Sequence, residues 1–225
     1  MGRPDFSDYV VHFTSDRPPL GIDHPNNKDD ERLREIARLN AKQRLTLILR
    51  DRYIRTTPTP WLNVPACCFI ECTWPSLMDN AHKYSPYAIG FSKKYIFNKG
   101  GGPAIYMRPD IYLDQQNFVT SKAQGYAYSE KFAAFMVPFV PAYSDKEFKH
   151  KYWKDQDAVD HTREREWRMP VALEDFTNDD IAFIMVADNE DIVYFQDLRG
   201  DIPYDKFLVA KTCEQAERLL AAQVV

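Results

Sequence analysis

The apolar residues of this chain come in short runs, and that brevity limits what it can fold into. Tyr9-Val10-Val11-His12-Phe13-Thr14, Ala66-Cys67-Cys68-Phe69-Ile70, Tyr87-Ala88-Ile89-Gly90-Phe91, Ala104-Ile105-Tyr106-Met107, Ile181–Ala187 and Ile192–Phe195 are β-branched and aromatic. Each reads as a buried strand. None approaches the ~20 apolar residues that span a bilayer, and prolines break the longest uncharged stretches, 56–70 and 132–144. Arg52–Thr56 alternates like a further short strand, ended by Pro58 and Pro60, and Glu164–Val171 alternates charge with bulk in the same way.

Helical stripes lie between the runs. Asp29-Asp30-Glu31 opens one that carries Leu33, Ile36, Ala37 and Leu39, and a second runs from Ala41 to Asp51 with Leu45, Ile48 and Leu49. Trp74–Tyr84 tolerates Pro75 in its first turn. Helices are also predicted over 119–136, over 145–160 and, from the capping-box spacing of Thr212 and Gln215, to the end of a terminal helix near Ala222. Strands and helices interleave without a linker, so the expectation is one α+β domain over 1–225, a mixed sheet flanked by helices.

Charge is split along the chain. Residues 1–168 carry 25 basic and 21 acidic groups, whereas 169–225 carry 4 and 12, a net of −8. The basic excess concentrates at 28–55 and 80–109, which suits a nucleotide or nucleic-acid ligand. It falls short of the profile of a dedicated nucleic-acid-binding domain. The N-terminus has no apolar signal core, and Cys67, Cys68 and Cys72 are crowded together. A reduced, cytoplasmic protein is expected.

Several constellations compete for chemistry. Cys68 and Cys72 have acceptable zinc spacing and His82 follows, but adjacent cysteines on a strand face opposite ways. The buried structural reading is favoured, and no metal is expected. Gly100-Gly101-Gly102 lacks the Lys-Ser/Thr of a P-loop and reads as a hairpin turn. Asp110, Glu147 and Lys149 fit a loose metal-dependent nuclease pattern, although the surroundings of Glu147 look helical. The more informative segment is Glu164-Arg165-Glu166-Trp167-Arg168. On a strand, Glu164, Glu166 and Arg168 share a face, and two carboxylates with a guanidinium are expensive to bury unless paired or functional. His12 and Thr14 likewise share a face, either as satisfied core residues or as a pair aimed into a cleft.

Taken in order, several motifs resemble the AbiGi-type abortive-infection family of bacterial phage defence. They are His12-Phe13-Thr14-Ser15, Leu47-Ile48-Leu49, Ile54–Pro58, Cys68–Glu71, Tyr87–Lys93, Pro103–Met107 and Glu164–Arg168. The resemblance covers 12–168 and leaves 169–225 as C-terminal strands and a capped helix. Its opening His-Phe-Thr and the following helix also resemble DarT-like ADP-ribosyltransferases, although an extra segment intervenes and Arg50-Asp51-Arg52 stands where a glycine turn is usual. That second likeness implies an ADP-ribosyltransferase-like sheet cradling NAD as substrate. His12 and Thr14 would meet a ribose, and Arg50, Arg52 or Arg55 the pyrophosphate. Tyr84 or Tyr87 would stack on the nicotinamide, and Glu166 or Glu164 would stabilise the oxocarbenium-like state as nicotinamide leaves. The family also carries an antitoxin label. As the alternative to the enzyme, it therefore implies a non-catalytic antitoxin or sensor-type protein that binds a partner encoded in the same defence system.

Overall fold

The computed structural model describes residues 6–19, 22, 27, 29–59, 63–108, 110–111, 126–140 and 160–215. At its centre is a mixed sheet built around β1 (Tyr9–Phe13). Two helices follow β1, α1 (Glu31–Ala37) and α2 (Ala41–Asp51), capped by Asp30 and Asn40. Short strands β2 (Tyr53–Ile54) and β3 (Thr57–Pro58) lead to β4 (Pro65–Glu71), α3 (Trp74–Lys83) and β5 (Ala88–Ser92). Helix α4 (Lys93–Asn98) then precedes β6 (Gly102–Pro103) and β7 (Ile105–Met107). Helix α5 (Tyr126–Phe135) runs directly into β8 (Met136–Pro138). The remainder is β9 (Glu166–Met169), β10 (Leu173–Glu174), β11 (Ile181–Val186), α6 (Asn189–Leu198) and β12 (Phe207–Val209).

The sheet order is β12-β11-β5-β1-β4-β9-β6, with β3 also on β4; β2 pairs β10 and β7 pairs β8 apart from it. Only the β11–β12 pair within the main sheet is parallel. The expected α+β class with a mixed sheet is therefore what the chain adopts.

Strand alternation sorts the core into two layers. Val10, Phe69, Ile89, Phe91, Ile184 and Val186 meet Leu45, Ile48 and Leu49 of α2 and Ile192 and Phe195 of α6 on one face. Val11, Ile70, Ala88 and Met185 meet Leu77, Met78 and Ala81 of α3 on the other. The two adjacent cysteines divide accordingly. Cys67 is buried in the α2 layer and donates to Ile54 O, whereas Cys68 faces the opposite way, beside Glu166 and Arg168.

Several local expectations change. Ile192–Phe195, expected as a strand, lies inside α6. Asp188 and Asp191 cap each other's backbone there in a reciprocal box, and Ile192 and Phe195 fall three apart on the buried side. Between Phe91 and Gly100 the chain forms α4 rather than a plain hairpin, because the Ser92 hydroxyl accepts from Tyr95 N and caps it. Pro58 sits within β3 instead of ending a strand. The terminal helix is described over 210–215, and its expected extension to Ala222 lies outside the described residues, as does the helix expected over 145–160 apart from its last residue.

Candidate functional site

The segment expected as one strand from Glu164 is broken at Arg165, whose φ of 44° is left-handed. Glu164 therefore ends a 3₁₀ turn, Thr162–Glu164, and the strand begins at Glu166. Register then fixes the faces. Ile70 pairs Glu166, Cys68 pairs Arg168, and Val11 pairs Ile70. Glu166 and Arg168 thus lie on the α3 side of the sheet, and both are buried, at 8% and 2% exposure.

Arg168 uses its whole fork there. Nε and Nη2 donate to Glu166 Oε1 at 2.9 Å and Oε2 at 3.1 Å, while Nη1 donates to Ala134 O and Met136 O at 3.2 and 3.1 Å. Burial works against the guanidinium, but the adjacent Glu166 carboxylate outweighs it and holds the pKa of Arg168 above its usual value. The pair joins β9 to the point where α5 becomes β8.

Glu164 belongs to a second, more open cluster. Tyr84 Oη donates to both of its carboxylate oxygens at 3.0 Å, Lys83 Nζ pairs with Oε1, and His161 Nδ1 lies 3.4 Å away. Burial raises the carboxyl pKa, but the His161 and Lys83 contacts prevail and hold it at about 2. Tyr106 Oη links the two clusters, donating to His161 O and accepting from Glu166 N. Residue patterns do not single out Lys83, Tyr106 or His161. The spacing of His161 three residues before Glu164 is the one local signal that could have found any of them.

The other expected site residues lie elsewhere. His12 faces away from Glu166, its ring edge-on to Phe69 at 5.8 Å and its Nδ1 2.8 Å from Cys68 O. Burial pushes its pKa below the usual histidine range, so the ring is neutral and Nδ1–H is the donor. Thr14 Oγ1 lies 2.9 Å from Ala41 O and 2.8 Å from Tyr87 O, tying β1 to the start of α2. Tyr87 Oη donates to Asp191, which also pairs with Lys42 at 2.6 Å. Arg50 is paired with Asp51, Arg52 with Asp201, and Arg55 stacks over the Tyr53 ring at 5.8 Å. Arg50 lies in the last turn of α2 and Arg52 and Arg55 follow it, about 15 Å of helix from its Ala41 end. The residues read as an NAD cradle thus occupy three separate places, two of them on opposite faces of the sheet.

The remaining chemistry is sparse. Cys67, Cys68 and Cys72 form no disulfide, and burial pushes the Cys67 and Cys72 thiols up to about 12. No group of three or more histidine, cysteine or carboxylate side chains is placed to hold a metal ion among the described residues. Asp110 is paired with Arg108, and Glu147 and Lys149 lie outside the described residues. An open depression of about 380 Å³ lies between Tyr9, Lys94, Asn98 and Asp179 and is lined by none of the expected site residues. No described helix is long and apolar enough to cross a membrane.

Compared with known proteins, residues 59–194 match one family model, described as "Putative abortive phage resistance protein AbiGi, antitoxin". The match takes in more than half of the chain, from just before β4 into α6. No curated protein and no solved structure matches.

The buried pair makes a sharp prediction. Arg168→Met strands the Glu166 carboxylate and should cost about 3–5 kcal/mol in urea unfolding, whereas Arg168→Met with Glu166→Leu should recover a large part of the loss. Glu164 makes another. Its folded pKa lies below the ordinary carboxylate value, so its contribution is complete above about pH 4.5 and is lost as pH falls towards 2. The difference corresponds to about 3 kcal/mol of stability. Acid unfolding of Glu164→Gln should lack that component.

Proposed function

Since the chain belongs to the AbiGi family of abortive phage resistance proteins, we propose that it acts in phage defence as an antitoxin-type binding protein. In this reading it holds a protein partner encoded in the same defence system and performs no chemistry on a cofactor.

The observation that carries the reading is how fully Glu166 is committed. A carboxylate that stabilises a departing nicotinamide must face a cleft with an oxygen to offer. Both oxygens of Glu166 instead accept from one buried guanidinium, and that guanidinium's remaining donor is fixed to backbone carbonyls. His12, the intended partner of Glu166, stands across the sheet from it. The antitoxin description of the matched family agrees with a role exercised through contact.

A second reading, NAD cleavage or ADP-ribosyl transfer, keeps one supporting observation. Glu164 lies beside Tyr84, Lys83 and His161, and Lys83 leaves the cluster 45% exposed along its side chain. An ionised carboxylate near a surface opening is the kind of group such a reaction uses.

Two measurements separate the readings. The purified chain, mixed with the protein encoded beside its gene, should elute from a sizing column as one complex and should release no nicotinamide when incubated with NAD. The binding reading is wrong if no complex forms and nicotinamide appears at a rate abolished by Glu164→Gln.

A further inference from the structure

Helix α6 is packed on one side only. Asp191, Ile192 and Phe195 are buried, the last two in the α2 layer of the core. Glu190, Val193, Tyr194 and Asp197 are exposed. Each carboxylate lies three or four residues from both Val193 and Tyr194, so the four side chains share one face of the helix.

Exposure of a single apolar side chain is ordinary. Here two adjoin, Val193 at 59% and Tyr194 at 42% exposed, and a carboxylate flanks them on each side along the helix. Neither Glu190 nor Asp197 has a side-chain partner among the described residues. Asp51, Asp110 and Asp201, by contrast, are each paired with an arginine, Arg50, Arg108 and Arg199.

Tyr194 is also held still. Lys42 Nζ stands 4.3 Å over its ring, and its hydroxyl lies 3.3 Å from Thr46 Oγ1. Lys42 is itself committed to the buried Asp191 at 2.6 Å, so it orients the ring without pairing Glu190 or Asp197. An aromatic fixed before binding loses little freedom on contact. Helix α6 lies in the part of the chain that carries the net of −8 from residue 169 onward.

An apolar centre with a fixed tyrosine and a charged rim is the anatomy of a protein-binding surface. The sign of the rim selects the occupant. We propose that the outward face of α6 docks a basic protein surface, with arginine or lysine side chains opposite Glu190 and Asp197 around a contact on Val193 and Tyr194. This inference rests on the binding role proposed above and names the surface that performs it.

The test uses the full chain and the purified protein encoded beside its gene, with affinity measured by calorimetry at two salt concentrations. Glu190→Arg with Asp197→Arg should weaken binding at least ~10-fold and reduce its salt dependence, and Val193→Asp should weaken it comparably. Glu35→Arg with Glu174→Arg, an equal charge change at exposed sites on α1 and β10, should stay within about twofold of wild type. Unaltered melting temperatures would show that the α6 variants fold. Wild-type affinity in the Glu190/Asp197 variant overturns the docking face, as does an equal loss in the Glu35/Glu174 variant. Failure of the wild-type chain to bind at all overturns the binding role itself.

Discussion

Arg168 is buried on β9 with all three nitrogens of its guanidinium engaged, and the arrangement on that side of the sheet depends on it. Two donors close on Glu166, two residues back on the same strand, and the third reaches the carbonyls where α5 passes into β8. Taking such a pair out of water costs several kcal/mol per ion, so its value lies less in net stability than in the geometry it enforces. A slip of β9 by one residue against β4 would turn both charges into the opposite, apolar layer. The pairing of Cys68 with Arg168 and of Ile70 with Glu166 is the register that avoids this.

The same commitment shapes the functional reading. With Glu166 inside the fold's own ion pair, the carboxylate chemistry left near that face belongs to Glu164, held by Lys83, Tyr84 and His161. On the opposite face, Thr14 and Tyr87 are joined through backbone carbonyls and Asp191 into a joint between β1, the start of α2 and the start of α6, while His12 ties β1 to β4 through Cys68 O. Much of the polar chemistry in the described chain therefore serves assembly. The Glu190 and Asp197 carboxylates on α6 are different, because no side chain among the described residues pairs with them.

Much of this architecture is legible from residue patterns. The strands around Val10, Phe69, Ile89 and Ile184 and the helix Ala41–Asp51 follow from apolar runs and periodicity, because burial on both sheet faces demands those residues. The errors have local causes. Val193 and Tyr194 carry strand propensity, but Asp188 caps a helix through them and packing of Ile192 and Phe195 decides the outcome. Glu164 was placed on a strand because its alternation with Glu166 and Arg168 is perfect, and nothing in the sequence shows that Arg165 turns left-handed. Pairing of Arg168 with Glu166 was one of the two outcomes foreseen for that face. The convergence of Lys83 on Glu164 joins residues 81 positions apart, and local pattern carries no such information.

The central claim is that this AbiGi-family chain protects by occupying a partner. The most direct measurement fixes the dose of the co-encoded protein in cells, raises the amount of this chain in steps, and quantifies both alongside growth. Occupancy predicts that protection rises in proportion and saturates near a fixed molar ratio, with Glu164→Gln protecting as well as wild type. Protection by a small fraction of an equivalent, lost in Glu164→Gln, would contradict the account and point to turnover.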